Sequence, residues 1–440
     1  MDNINKQFYN YLWAYVLVAL SGCLGNVVDG IIVGNLISAD GVSAINLSKP
    51  VNQFIFTLHL LINAGAGMLV GYALGQKNIS DARRFFSISL TLSVGLGIML
   101  ALICGVFFLD GTTRLLCNNE QILPLARDYM QVLLIGNPAF ILMWGLSTMV
   151  GVDGQPRLVS LAVIIDNVLN LCLDIVFIQW FDWGITGSSA ATVVGHLVGI
   201  AILLSHWWKP EHRRLKYIGI TSGAGSVIAR IVSQGTPLAV ASISLTLLLL
   251  SANRIVLSTL GQTGIFAFAV CMNLLQVYNL FLSGTCQTLQ SLGAIQVGKH
   301  DAEGLNVVLR KAFRFITIAM AVTCLFVWID PQAIAALFGA DNPDYILETD
   351  SALRIFAISF IPFCYIYTLM IVYKLYGYHK MALFISLALS LTVIPVLWGV
   401  SHTMPKLLWY SYLIAYIIEV LLIALLHHIG HIKLELKSKE

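Results

Sequence analysis

Long apolar runs, broken at nearly regular intervals by short clusters of Gly, Pro and charge, fill almost the whole 440-residue chain. Read with a bilayer-matched window, they give twelve spans. The first six cover about 11–37, 44–74, 84–109, 122–151, 157–179 and 186–208. The last six cover about 222–250, 262–295, 308–329, 347–374, 380–400 and 407–429. A helix needs roughly 20 residues to cross a hydrocarbon core of about 30 Å, so several spans have length to tilt, kink or protrude. Only helices satisfy the backbone in lipid when apolar runs are this long. The expected fold is an all-α polytopic membrane protein. Asn63-Ala-Gly-Ala-Gly67 and Ser233-Gln-Gly-Thr-Pro237 read either as flexible points or as places of close helix packing.

Composition agrees with the pattern. Hydrophobic residues make up 58% of the chain and charged residues 11%, against about 25% charged in a soluble globular domain. Most of the surface must therefore face lipid. The net charge of +3 is spread along the chain and offers nucleic acid no patch. Eight cysteines show no ligand spacing with His and read as small packing residues. The short N-terminus carries one base, Lys6, and no early small-x-small cleavage site, so the first span reads as a retained helix. Connections are too short for a soluble ATP-binding domain, and no GxxxxGK[ST] loop occurs. Neither ATP hydrolysis nor other enzyme chemistry has residues here to carry it, and no cofactor is implied.

With the N-terminus inside, most of the 25 Lys and Arg fall on the cytoplasmic face, leaving Lys49, Arg114, Arg127, Arg254, Arg354 and Lys406 outside. That satisfies the positive-inside rule. It places both termini in the cytoplasm and the chain in the cytoplasmic (inner) membrane.

An internal repeat organises the spans. Gly41-Val-Ser-Ala-Ile45 lies over Gly264-Ile-Phe-Ala-Phe268, and Gly75-Gln-Lys-Asn78 over Gly298-Lys-His-Asp301, at one constant offset. Pro138 falls close to Pro362 on the same shift. The expectation is two pseudo-symmetric six-helix bundles, residues 1–215 and 216–440, related by an axis along the membrane normal. One bundle can then rock against the other around a central site, and no second copy is needed to form the pathway.

Ionisable groups in hydrocarbon are costly and point to function. Asp29 in span 1, Asn170 and Asp174 in span 5 and Thr192 in span 6 all fall roughly 8–13 Å below the outer boundary, at 1.5 Å per helical residue. Carboxylates, an amide carbonyl and a hydroxyl are the hard oxygen ligands that Na+ uses. Two carboxylates in one low-dielectric site resist ionising together, so one is equally a candidate proton carrier. The other reading, helix caps and cross-links, suits Asn170 and Thr192 better than the two acids. Asp166 extends the span-5 stripe inward as a possible relay, and His196 lies one turn from Thr192 as a relay or a packing histidine. His59 and Lys49 are cavity candidates, with Lys49 able to snorkel instead.

Shifting the two acids by the repeat offset lands on Ala252 and Trp398, so the coupling chemistry belongs to the first half. The second half offers Asn273, Gln276, Asn279, Gln287, Gln290, Tyr365, Tyr367 and Tyr373 instead. With Met68, Met143, Met149, Met272 and Met370 they are candidates for an amphipathic cavity, although Met stripes are more often packing. Glu419 in span 12 is a buried acid without an evident partner.

Five motifs then carry a resemblance. Asn26-Val-Val-Asp-Gly-Ile-Ile-Val-Gly34, Gly71-Tyr-Ala-Leu-Gly75 with Ala82, and Gly151-Val-Asp-Gly-Gln-Pro156 are the first three. Asn170-Leu-Cys-Leu-Asp174 and Gly187-Ser-Ser-Ala-Ala-Thr192 complete the set. In order and spacing they resemble the multidrug and toxic compound extrusion (MATE) family, within the superfamily that also holds lipid-linked oligosaccharide flippases. The resemblance implies export of small organic, often cationic or amphipathic, compounds in exchange for Na+ or H+. It also places the family's first-half cation site on Asp29, Asn170, Asp174 and Thr192. The second-half acids of some members have no counterpart, since span 7 lacks Glu and span 10 carries Lys374 near its inner end. A flippase of the same superfamily is the alternative, disfavoured because the spans hold no evident Lys or Arg cluster.

Overall fold

The computed structural model describes residues 2–37, 39–116, 122–208, 214–220, 223–338 and 342–430. Side chains at 2–3, 26–27, 29–31, 33–35, 39–43, 46 and 115–116 lie outside that description. The described residues form helices and turns, with no strand among them.

In the first half, α1 spans Asp2–Leu36. Helices α2 (Ala39–His59) and α3 (Gly65–Gly75) are joined through a π-helical turn, Leu60–Ala64. Helix α4 (Ile79–Leu100) continues as a π segment to Phe107, and the short α5 covers Leu109–Leu116. Helices α6 (Leu123–Ile135) and α7 (Asn137–Val152) bend by 49° at a break where Gly136 precedes Asn137-Pro138. Helices α8 (Pro156–Ile175) and α9 (Gly184–Leu204) complete this half.

In the second half, α10 (Ala224–Thr288) runs through a π turn into α11 (Ala294–Gly298). Then come α12 (Ala302–Ile329), α13 (Pro331–Leu337), α14 (Pro343–Leu375), α15 (His379–Leu391), α16 (Val393–Thr403) and α17 (Tyr410–Ile429).

Ten of these stretches are long and apolar enough to cross a bilayer, and the bent α6–α7 pair makes an eleventh. One of the ten, Ala224–Gly298, is 75 residues long, far beyond one crossing. It is not straight: Gly261 has φ 65° and ψ −148°, a conformation closed to other residues. Dividing the stretch there gives the twelfth span. The connection expected over 251–261 is therefore mostly helix, and Arg254 sits on it. Ser251, Asn253, Arg254 and Ser258 are all compatible with a helix, and one glycine makes the turn. The short α5 and α13 were expected as connections. Helix α13 is set by Asp330, whose carboxylate accepts from the Ala333 amide, and by Pro331 at the first helical position.

The repeat is visible in the turns. Lys77 and His300 both take positive φ (59° and 55°), as do Gly154 and Gly377 (100° and 82°). The Asn78 side chain caps α4 at Asp81 N, and the Asp301 side chain caps α12 at Gly304 N. Each pair occupies equivalent places in the two halves.

Two compact units emerge from the packing. One is Tyr9–Thr236 with Gln290–Lys299, and the other is Met1–Phe8, Pro237–Leu289 and His300–Glu440. Residues 216–236 and 290–299 thus group with the first half. Glycines explain why. A Cβ on Gly235 would lie 1.9 Å from the Leu61 carbonyl oxygen, and one on Gly65 2.3 Å from that of Ile231. The two glycine-rich stretches therefore pack against each other, which settles them as close packing. Likewise a Cβ on Gly75 would meet the Ile295 oxygen at 2.2 Å, and one on Gly298 the Tyr72 oxygen at 2.1 Å. Gly71 and Gly75 meet Ala294 and Gly298, their own repeat equivalents. Small residues let backbones touch where lipid supplies no hydrophobic drive for helix association.

Candidate functional site

Helices α8 and α9 are antiparallel neighbours joined by a tight turn with Asp182 and Gly184 at positive φ (54° and 55°). Their approach depends on missing side chains. A Cβ on Gly187 would be 3.0 Å from Phe177, and one on Gly195 would be 2.5 Å from an Asp166 carboxylate oxygen.

This contact aligns polar residues in a ladder. Asn170 Nδ2 donates to Thr192 Oγ1 at 3.1 Å, and Thr192 Oγ1 also reaches the Ser188 carbonyl at 3.2 Å. Four residues toward the start of α8, both Asp166 oxygens lie 2.9–3.0 Å from His196 Nδ1. His196 is in turn four residues beyond Thr192, and the Phe140 ring packs edge-on to it at 4.7 Å. Stepping four residues the other way, the same register sets Asp174 level with Ser188. Both are buried, Asp174 completely. Beyond the Asp166–His196 rung the row becomes apolar, through Met143, Ala162, Ile200 and Leu203.

Helix α1 is tied to this row by a residue that sequence reasoning missed. Asn167 Nδ2 donates to Ser21 Oγ (3.0 Å) and to the Val163 carbonyl (2.9 Å). A Cβ on Gly25 would sit 3.1 Å from Asn167 Oδ1, so α1 presses closely there. Asp29 is one turn further along α1. Its side chain lies outside the described residues. Asn170, Asp174 and Thr192 are thus brought to one helix pair, and the backbone carrying Asp29 runs beside it. Among the described residues no three His, Cys, Asp or Glu side chains converge as a metal cluster. Neutral oxygens with one or two carboxylates suit a monovalent cation held reversibly better than a tightly kept transition metal.

Other candidates fall elsewhere. His59 is buried between Phe56 and Trp144, its Nδ1 3.3 Å from Asn63 Nδ2, while Ser93 donates to Asn63 Oδ1 at 2.9 Å. Lys49 is exposed beside Pro50. In the second half Asn273 and Gln276 are exposed, and Asn279, Gln287 and Tyr367 are half-buried. Asn273 Nδ2 and Gln287 Nε2 bond back to Ala269 and Ser283 on their own helix. Tyr365 and Tyr373 tie α14 to Thr317 and His427. Met68, Met143, Met149 and Met370 are buried in the core, and Met272 is half-buried.

A second charged cluster was also missed. Asp153, fully buried in the turn after α7, meets His206 Nε2 at 2.8 Å and Arg214 Nη2 at 2.8 Å. Arg214 belongs to the linker between the halves, which follows α4. Arg83 Nε donates to the Arg214 carbonyl (2.8 Å), and Ser87 Oγ accepts from Ile218 N (2.8 Å). Removing Asp153 takes a buried carboxylate from both His206 and Arg214, so Asp153→Ala should cost about 3 kcal/mol. Arg214 is 51% exposed, so water screens its side of the contact, and Arg214→Ala should cost less than Asp153→Ala, whose loss also leaves His206 without that bond. Thermal unfolding in detergent, followed by tryptophan fluorescence, checks the order; equal losses would contradict it.

The comparisons with known proteins agree with this architecture. The MatE family profile matches twice, over residues 16–176 and 237–398, so each half carries the family pattern separately. The multidrug export protein MepA of Staphylococcus aureus (strain bovine RF122 / ET3-1) is 23% identical over 332 residues, 74% of this chain and 73% of MepA. MepA of Staphylococcus saprophyticus is 22% identical over 324 residues, 73% of this chain and 71% of that protein. Among solved structures, the Vibrio cholerae MATE transporter VcmN superposes with TM-score 0.89 at 19% identity, covering 98% of this chain and 97% of that one. A MOP superfamily transporter from Pyrococcus furiosus gives TM-score 0.86 at 19% identity, covering 97% and 96%. At such identities the structures speak for the fold, while the doubled profile match decides the family. The chain is a multi-pass membrane protein that belongs to the MatE family.

Proposed function

We propose that this protein exports small organic compounds, cationic or amphipathic, in exchange for Na+ or H+ bound in its first half. The observation that carries the reading is the α8–α9 ladder, in which fully buried Asp174 lies one turn from the Asn170–Thr192 hydrogen bond. A buried carboxylate beside neutral oxygens binds a small cation well and loses it when water enters. The names of the staphylococcal relatives support drug export as the transported class.

In this reading the outward-open protein takes a cation at Asp29, Asn170, Asp174 and Thr192, which favours substrate release. Return to the inward-open form releases the cation and admits substrate. The two ligands compete for one carrier, directly or through the position of α1, and their coupling is reciprocal. Residues of a single chain complete this scheme.

Expression in cells stripped of their own drug exporters tests it. Cells making the protein should accumulate less of a fluorescent organic cation than control cells. Equal accumulation would contradict drug export, and is the outcome a lipid-linked glycan flippase would give.

A further inference from the structure

One carboxylic acid has no part in the coupling site and lies in the other compact unit. Glu419, on α17, is completely buried, and neither carboxyl oxygen has a hydrogen-bond partner among the described residues. Ring contacts locate it. Phe356 of α14 meets Trp409 and Tyr412 at 5.7 and 4.7 Å, and Phe363 meets Tyr416 at 5.6 Å. Tyr373 meets His427 at 6.0 Å, with its hydroxyl 2.9 Å from the imidazole Nδ1. Helices α14 and α17 therefore lie side by side in the same direction. Glu419 is one turn past Tyr416, inside the seam between the last two contacts.

The seam has a built-in weak point. Pro362, next to Phe363, cannot donate to the carbonyl of Ile358, so the α14 ladder is interrupted about a turn from the carboxyl. The titratable groups packed around this stretch are Cys271 and Cys286 on α10, Cys364, Tyr367, Tyr373 and Lys374 on α14, His379 at the start of α15, and Tyr412, Tyr416 and His427 on α17. No described nitrogen cation lies within ion-pair distance of Glu419. An ionised Glu419 would be a buried charge without a counter-ion, which is among the costliest arrangements in a folded interior. A neutral glutamic acid costs far less.

We propose that Glu419 is a proton-binding site of the second half, loaded while α14 and α17 are packed and unloaded when they part near Pro362. Proton binding and helix packing are then linked, each favouring the other. The site stands apart from the antiport reading of the first half and does not require it. It would make the readiness of the seam to open depend on pH.

Infrared spectroscopy of the full-length protein in lipid nanodiscs tests the site without transport. The wild-type-minus-Glu419→Gln spectrum at neutral pH should contain a protonated-carboxyl carbonyl band that fades as pH rises. Carboxylate bands alone at neutral pH would overturn the site. Thermal unfolding tests the linkage. The packed state holds a proton that the unfolded chain gives up, so stability falls as pH rises. The wild-type midpoint should drop relative to Glu419→Gln with rising pH, and parallel curves would overturn the linkage. Glu419→Met, close in volume and not ionisable, provides the same comparison if the Gln variant is poorly folded.

Discussion

Asp174→Asn is expected to abolish gradient-driven efflux of an organic cation while leaving a folded, normally abundant protein. The substitution keeps the shape of a completely buried side chain and removes only its charge. A hydrogen bond or contact to a charged group is worth about 1.5–3 kcal/mol, so cation affinity should fall roughly ten- to hundredfold. Substrate binding in the absence of a gradient should persist, which separates lost coupling from lost folding. Asp29→Asn should behave alike, since α1 is fastened beside α8 through Ser21 and Asn167. Normal gradient response in both variants would remove the first-half site.

The second large effect concerns the fold. Gly235→Val should cost at least about 3 kcal/mol, because even a Cβ would sit 1.9 Å from the Leu61 carbonyl oxygen and a backbone cannot swing aside as a side chain can. Gly298→Val should be as severe, with the Tyr72 oxygen 2.1 Å away. Gly95→Ala is the control, since nothing lies within 4 Å of its Cβ position. It should be neutral or slightly stabilising through helix propensity. Gel filtration and thermal scanning in detergent read the difference. A monodisperse Gly235→Val protein with wild-type midpoint would contradict the packing account.

Hydropathy made the spans legible because a bilayer imposes length and apolarity on every crossing segment. It could not place the end of the seventh span. The residues from Ser251 to Leu260 are polar enough to read as a connection, yet they are helical, and one glycine turns the chain. Short α5 and α13 escaped for the opposite reason, having too few residues for a period to register. The repeat was visible as matching motifs, and the paired positive-φ turns at Lys77 and His300 show that the match extends to backbone geometry.

The candidate site was legible in part. Depth along each helix brought Asn170 and Thr192 to one level, and they are hydrogen-bonded. Depth alone does not reveal register, so it leaves Asp166 as a relay candidate and His196 as a relay or packing histidine without joining the two. Counting four residues in opposite directions from the Asn170–Thr192 pair would have joined them. In the sequence Asp153 stands out only as part of the turn Gly151-Val-Asp-Gly-Gln-Pro156. Its partner Arg214 is 61 residues away in the linker, and no local pattern signals such a contact.

The central claim, that a cation bound in the first half drives export, is tested most directly in everted vesicles with Na+ and H+ gradients imposed one at a time. The account predicts that one of the two gradients accelerates transport of a fluorescent organic cation by the wild type, and that neither accelerates it in Asp174→Asn. A wild type indifferent to both gradients, or an Asp174→Asn variant that responds as the wild type does, would contradict it.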